Sequence, residues 1–321
     1  MSLPPPYLDP EVRAALAARG LTGAPPLTPD GLADWQRRDA LSRPRPTAAR
    51  VADGGRFEVA ELSAGGTALV SVRPAGAGGP LPVLFYLHGG GLIGGNAWSV
   101  LPRLLRELAL PLGLAVLSVE YPLAPAARYP EPVEACYAAL RWVVERAECL
   151  GLDARCVVLG GKSAGGGLAA ALALLARDRG GPGLLGQLLL SPMLDDRGET
   201  FSSRQADGHD TWDRGSNATA WQAALGGRYG APDLPPYAAP ARATDLAGLP
   251  PAYLEVGSAE TFRDEAVGYA DAIWRCGGAA ELHVWPGACH GFDTLAPGAA
   301  VSRAAREARL RWLERLLAAP E

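Results

Sequence analysis

Lysine is almost missing from this chain. Of the 30 basic residues among 321, one is a lysine, Lys162, and arginine supplies the rest. With 34 acidic residues the net charge is −4 and the pI about 5.7. No basic excess points to a nucleic acid or an anionic membrane as partner. Histidine is scarce too. The four are His88, His209, His283 and His290, with no HExxH or His-x-His spacing, so neither a catalytic metal nor a metal cofactor is expected. The five cysteines, Cys136, Cys149, Cys156, Cys276 and Cys289, are odd in number and match no zinc or disulfide framework. They read as reduced thiols packed as small apolar groups. No run reaches the roughly 18 apolar residues of a membrane-crossing helix. The N-terminus lacks the basic start and apolar stretch of a secretory leader. The expected location is the cytoplasm, without membrane insertion.

What the chain does have is length for one large α/β domain with an appended subdomain, and a regular alternation of apolar runs with helical stretches. The runs at 82–89, 114–120, 156–161, 186–192 and 252–257 each end at Gly, Pro or a charge. Such runs suit parallel strands buried on both faces. Helical spacing of Leu, Ala, Arg and Glu recurs at 100–110, 132–149, 164–179 and 262–276. The alternation predicts an α/β protein with a doubly wound, mostly parallel sheet. Ahead of it, 56–62 and 67–73 alternate around Ser63-Ala64-Gly65-Gly66 and predict an antiparallel hairpin at the sheet edge. Residues 281–285 are expected as the last strand and 299–318 as a closing helix, one that either covers the sheet or packs a dimer.

Two regions break the alternation. Residues 1–50 hold many prolines and one or two amphipathic helices. Residues 195–245 hold Trp212, Trp221, Tyr229 and Tyr237 among polar residues and prolines. An insertion between strands of such a sheet lies at the strand C-terminal edge, where ligands bind. The expected organisation is therefore a cap segment over 1–50, a catalytic core in two parts (51–194 and 246–321), and a cap insertion at 195–245. A surface elaboration remote from the pocket is the alternative.

The sharpest motif is Gly161-Lys162-Ser163-Ala164-Gly165, which matches G-x-S-x-G between an apolar run and an Ala/Leu-rich helix. A nucleophilic serine on a strand-to-helix elbow needs a strained turn to lift its hydroxyl clear of the sheet. Side chains two residues either side would collide, hence the glycines. A helix N-terminus beneath adds positive potential where negative charge develops. His88-Gly89-Gly90-Gly91 follows the 82–89 run. Its glycines let the Gly89 and Gly90 N–H groups, with that of Ala164, face an oxyanion, each donor worth about 2.7–4 kcal/mol. His88 is expected to anchor that loop.

The general base must come from the loop after the last strand, where His290 stands in Cys289-His290-Gly291-Phe292. Cys289 is expected to pack and not to react. The acid should lie between serine and histidine in chain order. Glu260, three residues past the strand end, is the expected residue, with Asp264 second and already in the helix. A carboxylate there would fix the imidazole tautomer and stabilise the imidazolium.

Together, His88–Gly91, the elbow, Tyr121-Pro122-Leu123-Ala124-Pro125 and the 289–292 box resemble the hormone-sensitive-lipase group of α/β-hydrolase esterases over roughly residues 80–320. The resemblance implies an eight-stranded sheet, an N-terminal cap, activity on short- to medium-chain acyl esters and frequent homodimers. Ser191–Asp196 also looks like a family segment, its carboxylates expected to hold the cap entrance and to pair with arginine such as Arg197. The chain departs from the pattern at Lys162, where an acidic or small residue is usual, at Pro122 and Ala126, where Arg and Glu are usual, and at Glu260-Thr261-Phe262, where many members have Asp-Pro-Leu. Lys162 is expected to pair with a carboxylate. The function read from all this is a serine carboxylesterase acting on a small-molecule ester without a cofactor. Trp212 and Trp221 are candidates to line its pocket, with at least one of them cap core. The rivals are hydrolysis of an amide, formamide, carbamate or lactone, and a non-catalytic small-ligand receptor, against which His290 speaks.

Overall fold

The apolar runs become eight strands: β1 (Phe57–Ala64), β2 (Thr67–Pro74), β3 (Leu81–Leu87), β4 (Ala115–Glu120), β5 (Leu152–Lys162), β6 (Gly186–Leu190), β7 (Ala252–Gly257) and β8 (Ala280–Trp285). The structure, a computed structural model, describes residues 3–21 and 25–318. Residues 1–2, 22–24 and 319–321 of the expected cap and core segments lie outside the described residues.

All eight strands form one sheet in the order β1-β2-β4-β3-β5-β6-β7-β8. From β4 to β8 every pairing is parallel. The hairpin of β1 and β2 is antiparallel and sits at the edge, as its alternation predicts. Gly65 and Gly66 turn it with φ of +60° and +91°, the left-handed pair that matches strand twist. The inner hairpin strand is also antiparallel to β4, a pairing that local pattern does not reveal.

Helices cover both faces. On one, Glu131–Glu145, Ala164–Asp178 and Arg263–Arg275 pack with the apolar residues of the central strands. The Ala164–Asp178 helix is buried over nearly its whole length. It sits so close to β3 that a Cβ on Gly165 would lie 2.0 Å from the Leu87 carbonyl oxygen. On the other face the helix Ala300–Ala318 puts Trp312 and Leu313 into the core against Leu188 and Tyr253. It covers the sheet. The expected helix at 100–110 is present as a helical stretch over 101–112, with a π-helical turn at Leu105–Ala109. The wide turn comes just before Pro111, which has no N–H to give back to the preceding turn.

The two irregular regions meet each other. Residues 1–50 supply helices Pro10–Ala18 and Leu32–Ser42, and 195–245 supply Phe201–Gln205 and Arg214–Leu225. Asp9 caps the first by accepting from the Glu11 and Val12 N–H groups, with Pro10 at its first position. The Leu27 N–H donates to Ser216 Oγ at 2.9 Å, Thr219 Oγ donates to the Leu27 carbonyl at 2.8 Å, and Trp35 stands edge-on to Trp212 at 6.0 Å.

Candidate active site

Ser163 sits where β5 ends and the Ala164–Asp178 helix begins, with φ 57° and ψ −124°. That backbone is costly for a residue with a side chain and persists where the surroundings over-determine it. Here they do. A Cβ on Gly161 would lie 2.1 Å from the Gly165 carbonyl oxygen, so neither flanking glycine admits a side chain. The Ser163 N–H is fixed on the Leu190 carbonyl at 2.8 Å. The result is a hydroxyl held on a rigid turn at the N-terminus of a 15-residue helix.

His290 arrives on the loop after β8. Its Nε2 lies 3.0 Å from Ser163 Oγ, and its Nδ1 lies 3.1 Å from Glu260 Oε1. A carboxylate only accepts, so Nδ1 carries the proton and Nε2 presents its lone pair to the serine hydroxyl. Glu260 is buried, and its second oxygen accepts from the Gly257 N–H at 2.8 Å and from Ser191 Oγ at 3.0 Å. Phe262 stands edge-on to the imidazole at 5.0 Å. Asp264 is turned elsewhere, accepting from the Ser202 N–H and Arg263 Nε at 2.7 Å each. Cys289 is buried beside the site and its thiol is pushed well up by burial.

The glycine loop packs against the elbow. A Cβ on Gly89 would be 2.9 Å from the Lys162 carbonyl oxygen and 3.3 Å from Ser163 Cβ. Gly90 has φ +138°, and its carbonyl accepts from the Ile93 and Gly94 N–H groups. Among the described residues neither the Gly89 nor the Gly90 N–H donates to a protein group. His88 anchors the loop from beneath. It stacks on Tyr121 at 4.2 Å, the Tyr121 hydroxyl donates to its carbonyl at 2.6 Å, and burial pulls its imidazole down to about 4, so the ring is neutral. His209 and His283 lie elsewhere, His283 within β8.

Of the two tryptophans, Trp212 leans over the loop: its ring carbons would be 2.6 Å from a Cβ on Gly91. Trp221 is 2% exposed and belongs to the buried cluster with Leu225 and Leu234. Trp212, 9% exposed, belongs to the same buried cluster, so both are core residues. Asp195 pairs with Arg197 as expected, at 2.7 Å, while Asp196 is held by Arg242 at 2.6 and 2.9 Å.

Sequence reasoning missed three aspects of the site. Ser191 holds Glu260. Lys162 does pair with a carboxylate, and the partner is Asp293, at 2.5 Å. Asp293 is also bound by Arg103 at 2.5 Å and Arg309 at 2.7 Å, and Arg309 reaches Glu255 at 2.5 Å. Burial alone would raise the Asp293 carboxyl, but the Lys162, Arg309 and Arg103 cations outweigh it and hold it well below the usual carboxylate range. Asp210 is the third. Its Oδ1 accepts the His290 N–H at 3.0 Å and its Oδ2 the Thr261 N–H at 3.0 Å. The only local signal was for Asp293, three residues after His290.

The chain matches the family model described as alpha/beta hydrolase fold over residues 84–294. It is similar to esterase LipI of Mycobacterium tuberculosis, 35% identical over 66% of this chain and 65% of that protein. It is also similar to carboxylesterase NlhH of the same species, 37% identical over 67% of this chain and 68% of that protein. The match thus spans about two thirds of each relative's length. A solved structure of a bacterial heroin esterase superposes with a TM-score of 0.88 at 38% identity, over 98% of this chain and 99% of that one. With the eight-stranded sheet, the serine elbow and these relatives in agreement, the chain belongs to the α/β-hydrolase family.

Proposed function

We propose that this chain is a serine carboxylesterase that hydrolyses short- to medium-chain acyl esters of small molecules through an acyl-enzyme. The observation that carries this reading is the run of contacts Ser163 Oγ to His290 Nε2 at 3.0 Å and His290 Nδ1 to Glu260 Oε1 at 3.1 Å, starting from a strained elbow. The names of the relatives, esterase and carboxylesterase, support the choice of bond.

In the first step Ser163 Oγ attacks the ester carbonyl while its proton passes to His290 Nε2. Glu260 holds the resulting imidazolium through Nδ1–H. The carbonyl oxygen becomes an oxyanion facing the Gly89, Gly90 and Ala164 N–H groups, and the helix N-terminus adds to their potential. The tetrahedral intermediate collapses, the C–O bond breaks, and the alcohol leaves with the His290 proton. Water then attacks the acyl-serine, giving its proton to His290, and the acid departs as Ser163 is reprotonated. No cofactor enters this scheme.

The cap belongs to the same proposal. Residues 1–50 and 195–245 would cover the site together, a reading supported by the Leu27–Ser216 and Leu27–Thr219 bonds and the Trp35–Trp212 contact. Trp212, beside Gly91, is the aromatic suited to line the acyl or alcohol pocket. The free cysteines support the cytoplasm as location. No helix among the described residues is long and apolar enough to cross a membrane. A homodimer is proposed too, supported by β8 at the open sheet edge with Val284 and neighbouring Trp274 exposed.

The test is hydrolysis of p-nitrophenyl esters with two-, four-, eight- and twelve-carbon acyl chains by the wild type and Ser163→Ala. The proposal expects activity on the shorter esters that disappears in the variant. A wild type silent on every ester, or a variant that keeps its rate, would overturn it and turn attention to amides.

A further inference from the structure

Three consecutive residues of the 195–245 segment reach the loops that carry His290 and Glu260. Asp210 accepts the His290 N–H at 3.0 Å and the Thr261 N–H at 3.0 Å, one through each carboxylate oxygen. Thr211 Oγ donates to the His290 carbonyl at 2.6 Å. The Trp212 carbonyl accepts from Thr261 Oγ at 2.6 Å, and its ring leans on Gly91. The backbone of His290 is therefore gripped on both sides, at its N–H and its C=O, by residues about 80 positions earlier in the chain. The residue after Glu260 is gripped by the same tripeptide. The Asp210 side chain also makes a short local bond, accepting the Thr211 N–H at 2.7 Å, which sets its rotamer.

Resting on the esterase reading, we infer that Asp210 is a positioning residue, a second carboxylate that sets His290 and the Glu260 loop in register with Ser163 and adds negative charge behind the base.

The geometry favours this over a merely structural loop anchor. A single loop-to-loop bond would need one acceptor and no charge. Asp210 instead spans the base loop and the acid loop at once, with both oxygens used. Among the described residues, the groups that face its charge are His290, Glu260 and the Cys289 thiol, with no arginine or lysine paired to it. Burial and the nearby Glu260 push its carboxyl up to about 6, opposed by His290 and by the N–H donors. An unneutralised carboxylate beside an imidazole favours the imidazolium, which is the form His290 takes as Ser163 attacks. The grip on the peptide matters separately, because a small displacement of the base from the serine hydroxyl costs rate steeply.

The experiment compares wild type, Asp210→Asn, Thr211→Val and Ser163→Ala on one short p-nitrophenyl ester across pH. Asp210→Asn keeps the size and removes the charge. Its kcat is expected to fall by about tenfold or more, with KM within about twofold, since the lost interaction is made to the base and not to substrate. The acid limb of its kcat/KM profile is expected to move to lower pH, because His290 then gains its proton with one negative charge fewer beside it. Thr211→Val removes the grip on the carbonyl and no charge. Its kcat is expected to fall with the acid limb unmoved, and this variant keeps the idea testable if Asp210→Asn does not fold. Wild-type kinetics in Asp210→Asn, a rate loss there with an unmoved limb, or wild-type kcat in Thr211→Val would overturn the inference. Ser163→Ala separates the two levels. If it retains activity the esterase reading itself fails, whereas if it is dead and the Asp210 variant behaves as wild type, this inference alone fails.

Discussion

Asp293 and Asp210 are both turned inward beside His290, Asp293 three residues after it on the core side and Asp210 on the side of the 195–245 segment, and their surroundings act on them in opposite directions. Asp293 touches Lys162, Arg103 and Arg309 within 2.7 Å. Three cations more than offset the cost of burying it, and its carboxyl is held well below the usual range. Asp210 has backbone N–H groups, the His290 imidazole nearby and, among the described residues, no paired arginine or lysine, and burial drives it up to about 6. The first arrangement is a closed ionic knot whose charges are spent on one another, tying the elbow to the histidine loop. The second leaves its charge to act on the imidazole. An acidic residue at position 162, usual in the group this chain resembles, would stand against Asp293. A lysine there, the single one in the chain, makes the knot close.

The comparison breaks most visibly at Asp293. Asp293→Asn leaves three buried or half-buried cations short of a partner, and removing one member of a buried ion pair typically costs about 3–5 kcal/mol. A loss of that size is expected in chemical denaturation at pH 7. The pH sign is fixed by the direction of the shift. A carboxyl lowered in the fold adds stability above its unfolded pKa and loses it as pH falls toward the folded value. The deficit of Asp293→Asn should therefore be full at neutral pH and shrink in strong acid. A variant as stable as the wild type at pH 7 would show that the knot holds nothing.

Asp210 should give the smaller effect and the opposite trend. Its carboxyl is raised, so the folded state favours the protonated form, and that preference adds stability below the unfolded pKa and is lost as pH rises through about 6. Asp210→Asn, neutral throughout, should gain on the wild type as pH rises from about 4 to about 6 and hold a constant margin above that. Denaturation midpoints of both proteins over this range are the measurement. A margin that shrinks with rising pH would mean that the N–H donors outweigh burial.

Most of the fold could be read along the chain because parallel strands buried on both faces are written as unbroken apolar runs. The limits of 82–89 and 252–257 fall within two residues of β3 and β7. The π-helical turn at Leu105–Ala109 and the pairing of β2 with β4 could not, since Pro111 marks a disturbed helix without specifying a π turn and the pairing depends on which strands meet. At the site, residues whose spacing is dictated by local sterics were legible: the glycines around Ser163, the glycine loop, and Glu260 in the loop where Asp264 is already in a helix. Illegible were contacts that only tertiary structure makes. Asp210 stands in a polar stretch with no periodicity, 80 residues from the backbone N–H it accepts, and Lys162 lies 131 residues from Asp293. Nothing local marks Asp210, and Asp293 is marked only by its place three residues after His290.

The central claim is that Ser163 is a nucleophile activated by His290. Labelling with a fluorophosphonate, followed by peptide mass spectrometry on the wild type and His290→Ala, tests it most directly. The account predicts one phosphonyl adduct on the peptide that carries Ser163 in the wild type, and little or none there in His290→Ala. An adduct on another residue, or equal labelling of Ser163 without the histidine, would contradict it.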